Sequence, residues 1–209
     1  MANDAAHPAS SPEELDGQSI TLMRLVKQGD ENAFRELVEC HQHAVIGTCA
    51  KMLGNIDDAH DIAQQVFLRV WKAAPRYEPS AKFTTWLFTI LRHLVFNETR
   101  RKQRRPTVSL DEKLHPDDDR TKDIPDNFTP APDSSLLHQE LEKAIDRAID
   151  ALPENQRLAV VLRRYEEMPY EEIAAVLKTS VPSVKSLLFR ARTQLRESLR
   201  AYLDTGEGE

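Results

Sequence analysis

Apolar residues recur along this chain at the three-to-four-residue spacing of amphipathic helices, and the alternate-residue patterning of strands is almost absent. In the first half, four such stretches precede a basic run at 100–105. Their boundaries carry cap residues: Asp30 and Ser80 stand where N-caps are expected, and Gly54 stands where a helix should end. The pattern predicts a domain of four helices over 18–105.

The second half repeats the helical pattern after a break. Residues 106–135 contain five prolines and eight acidic residues but few large apolar ones. This stretch buries too little apolar area to offset the entropy of ordering, so it is predicted to be an acidic flexible linker. Further helices are predicted to begin at Ser134 or Ser135, at Pro153, at Tyr170 and after Ser180, the last of them reaching about Tyr202.

The predicted fold class is therefore all-α, with two small helical domains. The segments in chain order are a disordered acidic tail (1–17), the first domain (18–105), the linker (106–135), the second domain (136–203) and a short disordered tail (204–209).

Charge divides along the same boundaries. The chain of 209 residues has 28 Lys and Arg against 34 Asp and Glu, a net charge of −6. The first seventeen residues carry −4, the linker −5 and the last six residues −3, which leaves +6 on the two helical domains. Two basic bodies flanked by acidic segments favour a nucleic-acid partner.

Composition argues against several other classes of protein. No stretch approaches the roughly 18 apolar residues of a membrane-spanning helix, and the acidic N-terminus does not resemble a secretory signal. Two cysteines do not make a disulfide framework and indicate a reducing compartment, so we expect a cytoplasmic protein without membrane insertion. The sequence lacks a phosphate-binding loop, a zinc-hydrolase motif and a nucleophile elbow, which predicts no enzymatic activity, no cofactor and no small-molecule substrate.

One cluster contains residue types that bind metals: Cys40, His41, His43 and Cys49. On a helix, Cys40 and His43 are neighbours that can share a metal ion, but Cys49 lies more than two turns from Cys40. We expect buried thiols beside solvent-facing imidazoles and no metal site. A redox role for the cysteines stays open.

The strongest local signal is the segment 170–192. A short helix with small residues, a tight polar turn at 178–180 and a second helix with basic residues on one side is the layout of a helix-turn-helix. The buried side of the second helix is predicted to carry Val184, Leu187 or Leu188, Ala191 and Leu195. The other side carries Lys185, Ser186, Phe189, Arg190 and Arg192, a subset of which can enter a DNA major groove together. An ordinary helical hairpin with a solvated basic side is the alternative.

A second signal is the run ETRRKQRR at 98–105, which ends the helix that holds several aromatic residues. A basic run alone is usually a solvated tail or a phosphate contact. Aromatic rings near basic residues are also typical of proteins that stack unpaired bases. Trp86 has the spacing of a core residue, which favours packing. Phe88 and Phe96 lie on other faces and keep the stacking interpretation open.

Three segments together resemble a known family. They read DDAHDIAQQVFLRVWKA at 57–73, FTTWLFTILRHLVFNETRR at 83–101, and LPENQRLAVVLRRYEEMPYEEIAAVLKTSVPSVKSLLFRARTQLR at 152–196. They are similar to bacterial sigma factors of the extracytoplasmic-function group, which are sigma-70 proteins reduced to their second and fourth domains. The resemblance covers both predicted domains in order.

The resemblance implies a protein that binds core RNA polymerase and directs initiation at specific promoters. Docking on the clamp helices of the polymerase β′ subunit would use Asp58, Asp61, Gln64, Gln65 and Leu68. Recognition and melting of the −10 promoter element would use Phe83, Trp86, His93, Asn97, Arg100 and Arg101. Reading of the −35 element, beside the polymerase β flap, would use Arg163, Lys185, Ser186, Phe189 and Arg190. The resemblance also implies an anti-sigma partner.

Four positions depart from the family pattern. His60 and Gln65 stand where acidic residues are common, and Leu187 replaces a frequent Arg. His93 stands where Asn is usual, which leaves the base preference at −10 open. The alternative function is a stand-alone helix-turn-helix regulator, which would explain 170–192 but leave 57–105 without a purpose. A helical scaffold protein is a third interpretation.

Overall fold

The computed structural model describes residues 12–104 and 135–203, and every regular element in these two ranges is helical. The first body consists of α1 (Pro12–Val26), α2 (Glu31–Leu53), α3 (Ile56–Ala73), a 3₁₀ turn (Ala74–Arg76) and α4 (Phe83–Arg104). The second body consists of α5 (Ser135–Asp150), α6 (Glu154–Arg164), α7 (Tyr170–Leu177), α8 (Val181–Ser198) and α9 (Arg200–Leu203). The all-α class is confirmed.

The bounds predicted for the domains and tails remain predictions, except at one point. The helix α1 begins at Pro12 and so takes in residues 12–17, which the sequence assigned to the disordered tail. Proline suits the first helical position because it has no N–H to leave unpaired, and acidic residues next to it suit the positive end of a helix. The linker prediction falls on residues that lie almost entirely outside the described ranges.

The helix α2 begins after Asp30 and ends before Gly54, as the sequence predicts. Asp30 Oδ1 accepts hydrogen bonds from the backbone N–H groups of Asn32 and Ala33, at 2.9 and 3.0 Å. Gly54 ends α2 with φ at 65°, a left-handed conformation that a Cβ would strain. Asn55 then caps α3, because its side chain accepts a hydrogen bond from a backbone N–H in the first turn. The two helices therefore form a tight hairpin.

The core of the first body lies where α1, α3 and α4 pack around α2. Its fully buried side chains include Met23, Leu37, Val45, Val66, Val70, Phe83, Leu87 and Leu91. Burial of each such side chain contributes about 1.5–3 kcal/mol, so this cluster fixes the orientation of α4 about its own axis.

The second body contains the predicted helix-turn-helix. Lys178 ends α7 in the left-handed conformation, with φ at 54°. Ser180 caps α8 by accepting a hydrogen bond from the Ser183 N–H at 3.3 Å, and Pro182 lies in the first turn. Val184, Leu188 and Ala191 are buried, as the spacing predicts, whereas Leu195 is only half-buried. The final helix is shorter than expected, since α8 ends at Ser198 and α9 follows it.

The two bodies contact each other along two seams. In the α4–α7 seam, Glu172 accepts from Lys82 Nζ at 2.8 Å and from Thr85 Oγ1 at 3.5 Å. Arg92 donates to the carbonyl of Val176, near the end of α7, at 2.9 Å. One side of α4 is therefore covered by the helix-turn-helix itself.

The second seam joins the end of α2 to α5 and α6. Thr48 Oγ1 donates to Glu166 at 3.0 Å, and burial raises the pKa of that carboxyl group. Lys51 Nζ lies 3.4 Å from Asp146 and 4.4 Å from the centre of the Tyr165 ring. This α2–α6 seam thus includes polar contacts in addition to apolar packing.

Candidate nucleic-acid interface

The helix α8 presents the predicted DNA-reading residues on one side. Lys185, Ser186, Phe189 and Arg190 are all exposed, and the Phe189 side chain is 70% exposed. The opposite side of α8 is anchored in the core by Val184, Leu188 and Ala191. A phenyl ring surrounded by cations in water is available for apolar contact with a base, and the cations are available for base edges or phosphates.

A polar cleft adjoins this side of α8 at the turn of the helix-turn-helix. It is lined by Asn155, Lys178, Thr179, Ser183, Ser186 and Arg190, among others. Hydroxyl, amide and cationic groups of this kind contact the phosphate backbone in protein–DNA complexes. The cleft therefore suits a strand that passes the N-terminus of α8.

Arg163 has a structural role in addition to its predicted DNA contact. Its guanidinium donates to the backbone carbonyls of Glu167 and Met168, at 3.3 and 3.1 Å, and lies 5.5 Å from the centre of the Tyr170 ring. These contacts hold the turn between α6 and α7, in which Glu167 has a positive φ of 52°. The side chain is exposed, and its contact with DNA stays a prediction.

The residues predicted for the −10 element fall into two groups. Phe83 is fully buried, with its ring centre 5.0 Å from that of His41, so it is a core residue and its prediction as a DNA contact is wrong. Trp86 is half-buried and packs on Tyr77, with ring centres 4.8 Å apart. The stacking interpretation of Phe88 and Phe96 is also wrong, because both are buried.

The second group lies on an exposed side of α4. His93, Asn97 and Arg100 are exposed at the spacing of one helical face. Partial burial, followed by the charges of Arg92, Lys178 and Arg69, lowers the pKa of His93, which favours the neutral imidazole. Arg101 is exposed but forms two hydrogen bonds with Glu98, at 2.7 and 2.8 Å, which partly neutralise its charge.

The predicted polymerase-docking residues share a side of α3. Asp61, Gln64, Gln65 and Leu68 are exposed, and the Leu68 side chain is 51% exposed. Asp58 differs, because it is half-buried and its carboxylate is paired with Lys102 of α4. The side of α3 that faces away from the core is thus polar, with one large apolar residue at its C-terminal part.

The prediction that the imidazoles of His41 and His43 face solvent is wrong for one of them. His43 is exposed as expected, but His41 is 3% exposed and lies within the core. Its Nε2 and the Ser19 Oγ are 2.7 Å apart, and burial lowers the pKa of His41 to about 4. The sequence holds a signal for this, since Leu37, His41 and Val45 recur every fourth residue on the buried side of α2.

The prediction of buried thiols holds for one of the two cysteines. Burial raises the pKa of Cys49 to about 12, so its thiol is protonated at neutral pH. Cys40 is half-buried. Within residues 12–104 and 135–203, no three His, Cys, Asp or Glu side chains are grouped to hold a metal ion. No described helix is long and apolar enough to cross a bilayer.

Family models match most of both bodies. The model of sigma-70 region 2 matches residues 37–105, and the model of sigma-70 region 4 matches residues 142–195. Among curated proteins, the chain is 31% identical over 190 residues to the RNA polymerase sigma-H factor of Pseudomonas aeruginosa, covering 89% of this chain and 96% of that one. It is also 31% identical over 181 residues to the ECF RNA polymerase sigma factor SigW of Bacillus subtilis, covering 85% and 95%.

Two solved structures share the fold. CnrH, in complex with the cytosolic domain of CnrY, is 23% identical with a TM-score of 0.64, over 88% of this chain and 98% of that chain. The sigma factor RpoE of Bartonella quintana, in complex with the anti-sigma factor NepR, is 22% identical with a TM-score of 0.61, over 80% and 96%.

Proposed function

This chain belongs to the extracytoplasmic-function group of the RNA polymerase sigma-70 family, and we propose on that basis how its two bodies divide the work. As a sigma factor it binds core RNA polymerase and directs transcription initiation at specific promoters. Its family consists of initiation factors, so the chemistry of RNA synthesis belongs to the polymerase.

The second body reads the −35 element. The observation that carries this assignment is the side of α8 on which Lys185, Ser186, Phe189 and Arg190 are exposed together, opposite a buried anchor. The second helix of a helix-turn-helix lies in the major groove, where such side chains meet base edges. Each well-placed base contact is worth about 1–3 kcal/mol of discrimination against a wrong base.

The first body docks on polymerase and opens the −10 element. The exposed side of α3, with Asp61 and Leu68, is assigned to the β′ clamp helices. The exposed side of α4, with His93, Asn97 and Arg100, is assigned to the melted strand. Unpairing and unstacking a base costs a few kcal/mol, and capture of the base returns about 1–3 kcal/mol by stacking and hydrogen bonding.

The proposal includes a location and a regulator. Core polymerase acts in the cytoplasm, which agrees with the reducing compartment that the cysteine content indicates. An anti-sigma protein is proposed as a partner, supported by the two solved structures of the same fold, which contain CnrY and the anti-sigma factor NepR. The β flap is proposed as the polymerase contact of the second body.

Run-off transcription tests the proposal. Core polymerase is incubated with a pooled library of bacterial promoter fragments, with and without this protein. We expect new transcripts that share a pair of −35 and −10 motifs. If no transcripts appear, co-elution with core polymerase decides between an unsuitable library and a wrong assignment, because a sigma factor binds core polymerase without a promoter.

The stand-alone regulator is the weaker alternative. Both curated relatives described above are sigma factors, and the similarity runs through both bodies of this chain. A regulator would bind duplex promoter DNA without polymerase, whereas this protein should bind it poorly. Gel-shift titration of the same fragments, with and without core polymerase, separates the two functions.

A further inference from the structure

The first backbone N–H of α4 bonds to a side chain from another helix. Ser80, which the sequence predicts as the cap, lies three residues before the first residue of α4, and its own N–H bonds to the carbonyl of Glu78 at 2.8 Å. The N–H of Phe83 donates to Asp16 Oδ1 at 2.7 Å, a carboxylate 67 residues earlier in α1. The first free donor of α4 is therefore satisfied by a different helix.

The other end of the preceding loop is also tied to α1. Lys27, one residue after α1, donates from Nζ to the carbonyl of Tyr77 at 3.4 Å. The Tyr77 ring packs against Phe83 and Trp86, with ring centres 6.2 and 4.8 Å away. Residues 78–82 between these two anchors are all exposed. An exposed loop is thus held at both of its ends.

The helix α1 has a fixed position of its own. Met23 and Ser19 are fully buried, and the Ser19 hydroxyl pairs with the buried His41 imidazole at 2.7 Å. In the middle of α1, Gln18 donates to Glu36 of α2 at 2.9 Å. Asp16 therefore projects from a helix that is packed on α2. A carboxylate at the positive end of α4 also gains from the helix dipole.

We propose that Asp16 is a positioning residue for −10 recognition. By capping α4 from α1, it fixes the first turn of α4 and the exposed loop 78–82 before the promoter is met. Groups that are already in place lose less entropy on binding than groups that must be ordered. The inference rests on the proposed role of α4 at the −10 element. It extends to α1, which lies before the first residue matched by the family model.

Amide hydrogen exchange of the free protein tests the cap. Loss of a capping side chain costs about 1 kcal/mol, which corresponds to about fivefold faster exchange. We expect Asp16→Ala to show this increase in segment 83–86, whereas Asp16→Asn keeps an acceptor oxygen and retains most of the protection. Asp30→Ala is the matched control, because it removes a carboxylate cap from α2 in the same body. It should speed exchange at the start of α2 and leave 83–86 unchanged.

Promoter opening tests the positioning role. Permanganate reactivity of −10 thymines is measured with holoenzyme on the promoters recovered by the wild-type protein. We expect Asp16→Ala to lower opening severalfold at unchanged affinity for core polymerase, while Asp16→Asn and Asp30→Ala open DNA nearly as the wild type does.

Each other outcome overturns the inference in a distinguishable way. Unchanged exchange in Asp16→Ala would show that the hydrogen bond does not hold α4. If Asp16→Ala exchanges its amide hydrogens faster in 83–86 but opens the promoter normally, Asp16 caps α4 and has no role in promoter opening. Equal loss of opening in Asp16→Ala and Asp30→Ala would indicate general destabilisation. If the wild type opens no promoter, the inference falls together with the proposed function, and the exchange data show whether the cap itself was present.

Discussion

The two helices assigned to DNA are anchored in different ways. The helix α8 is held by residues next to it in the chain: Ser180 caps it, Lys178 shapes the turn before it and Pro182 lies in its first turn. The helix α4 is held from a distance, since its first N–H bonds to Asp16 of α1 and one of its sides is covered by α7.

The position of α8 thus depends mainly on residues beside it in the chain, whereas that of α4 depends on other helices. A helix with local caps keeps its ends when its surroundings change, because the cap and the helix move together. A helix capped from another element loses its first turn when that element shifts. We therefore expect −10 reading to be sensitive to changes far from DNA, and −35 reading to be sensitive mainly to changes on α8.

The largest expected contrast is between two phenylalanines. Phe83→Ala should lower the free energy of unfolding by about 3–5 kcal/mol, because it opens a cavity in the core of the first body. Phe189→Ala should leave the free energy of unfolding almost unchanged but reduce transcription that depends on −35. Urea denaturation measures the free energy of unfolding of each variant, and run-off transcription on one promoter measures its activity. A stable Phe83→Ala protein with a −10 defect would return Phe83 to the DNA-contacting group.

Acid should destabilise the first body through His41. The pKa of about 4 in the fold, against an ordinary 6.5, means that the folded protein resists protonation that the unfolded chain accepts. The corresponding stability is fully present above pH 6.5 and is lost as pH falls from 6.5 toward 4, by roughly 3 kcal/mol in total. Urea midpoints across this range measure the slope. His41→Asn should flatten it, and the exposed His43→Asn should not.

Two cations on α8 should matter for DNA and not for polymerase. Lys185→Ala and Arg190→Ala should each make the free energy of promoter binding less favourable by about 1–3 kcal/mol and so weaken −35-dependent transcription. The affinity of both variants for core polymerase should be unchanged. Arg196→Ala is the control, since it removes an exposed cation of α8 that lies beyond the assigned DNA contacts. Loss of core affinity in the first two variants would show that the helix-turn-helix faces the other way.

The smallest expected effect is at His93. His93→Asn should change the free-energy preference among bases at −10 by about 1 kcal/mol or less, with little change in total activity, because the imidazole is exposed and its lowered pKa favours the neutral form. Selection from a library randomised at −10 measures the preference. An unchanged preference would assign His93 to the scaffold.

Features with local causes were predictable from the sequence. Asp30, Gly54, Asn55 and Ser180 all cap the helices beside them, and the spacing of Val184, Leu188 and Ala191 identified the buried side of α8. In these cases the side chain and the backbone group that it satisfies are neighbours in the chain.

Features that join distant residues were not predictable. Ser80 has the residue type of a helix cap. The first N–H of α4, that of Phe83, instead bonds to the carboxylate of Asp16, which reaches it because α1 packs on the first body. The −10 role of Phe83 is implied only by the resemblance, and the folded chain places this residue in the core. Arg163 likewise has the residue type of a phosphate contact, and only the folded turn shows its two carbonyl partners.

The α4–α7 seam sets a thermodynamic cost for any ligand that requires the two bodies to separate. Any state that separates the bodies must break the contacts of Glu172 with Lys82 and of Arg92 with Val176. Each of these contacts lowers the population of the separated state. A ligand that requires separation binds with its intrinsic affinity multiplied by the fraction of molecules in that state. A partner that stabilises the separated state removes this penalty for such a ligand.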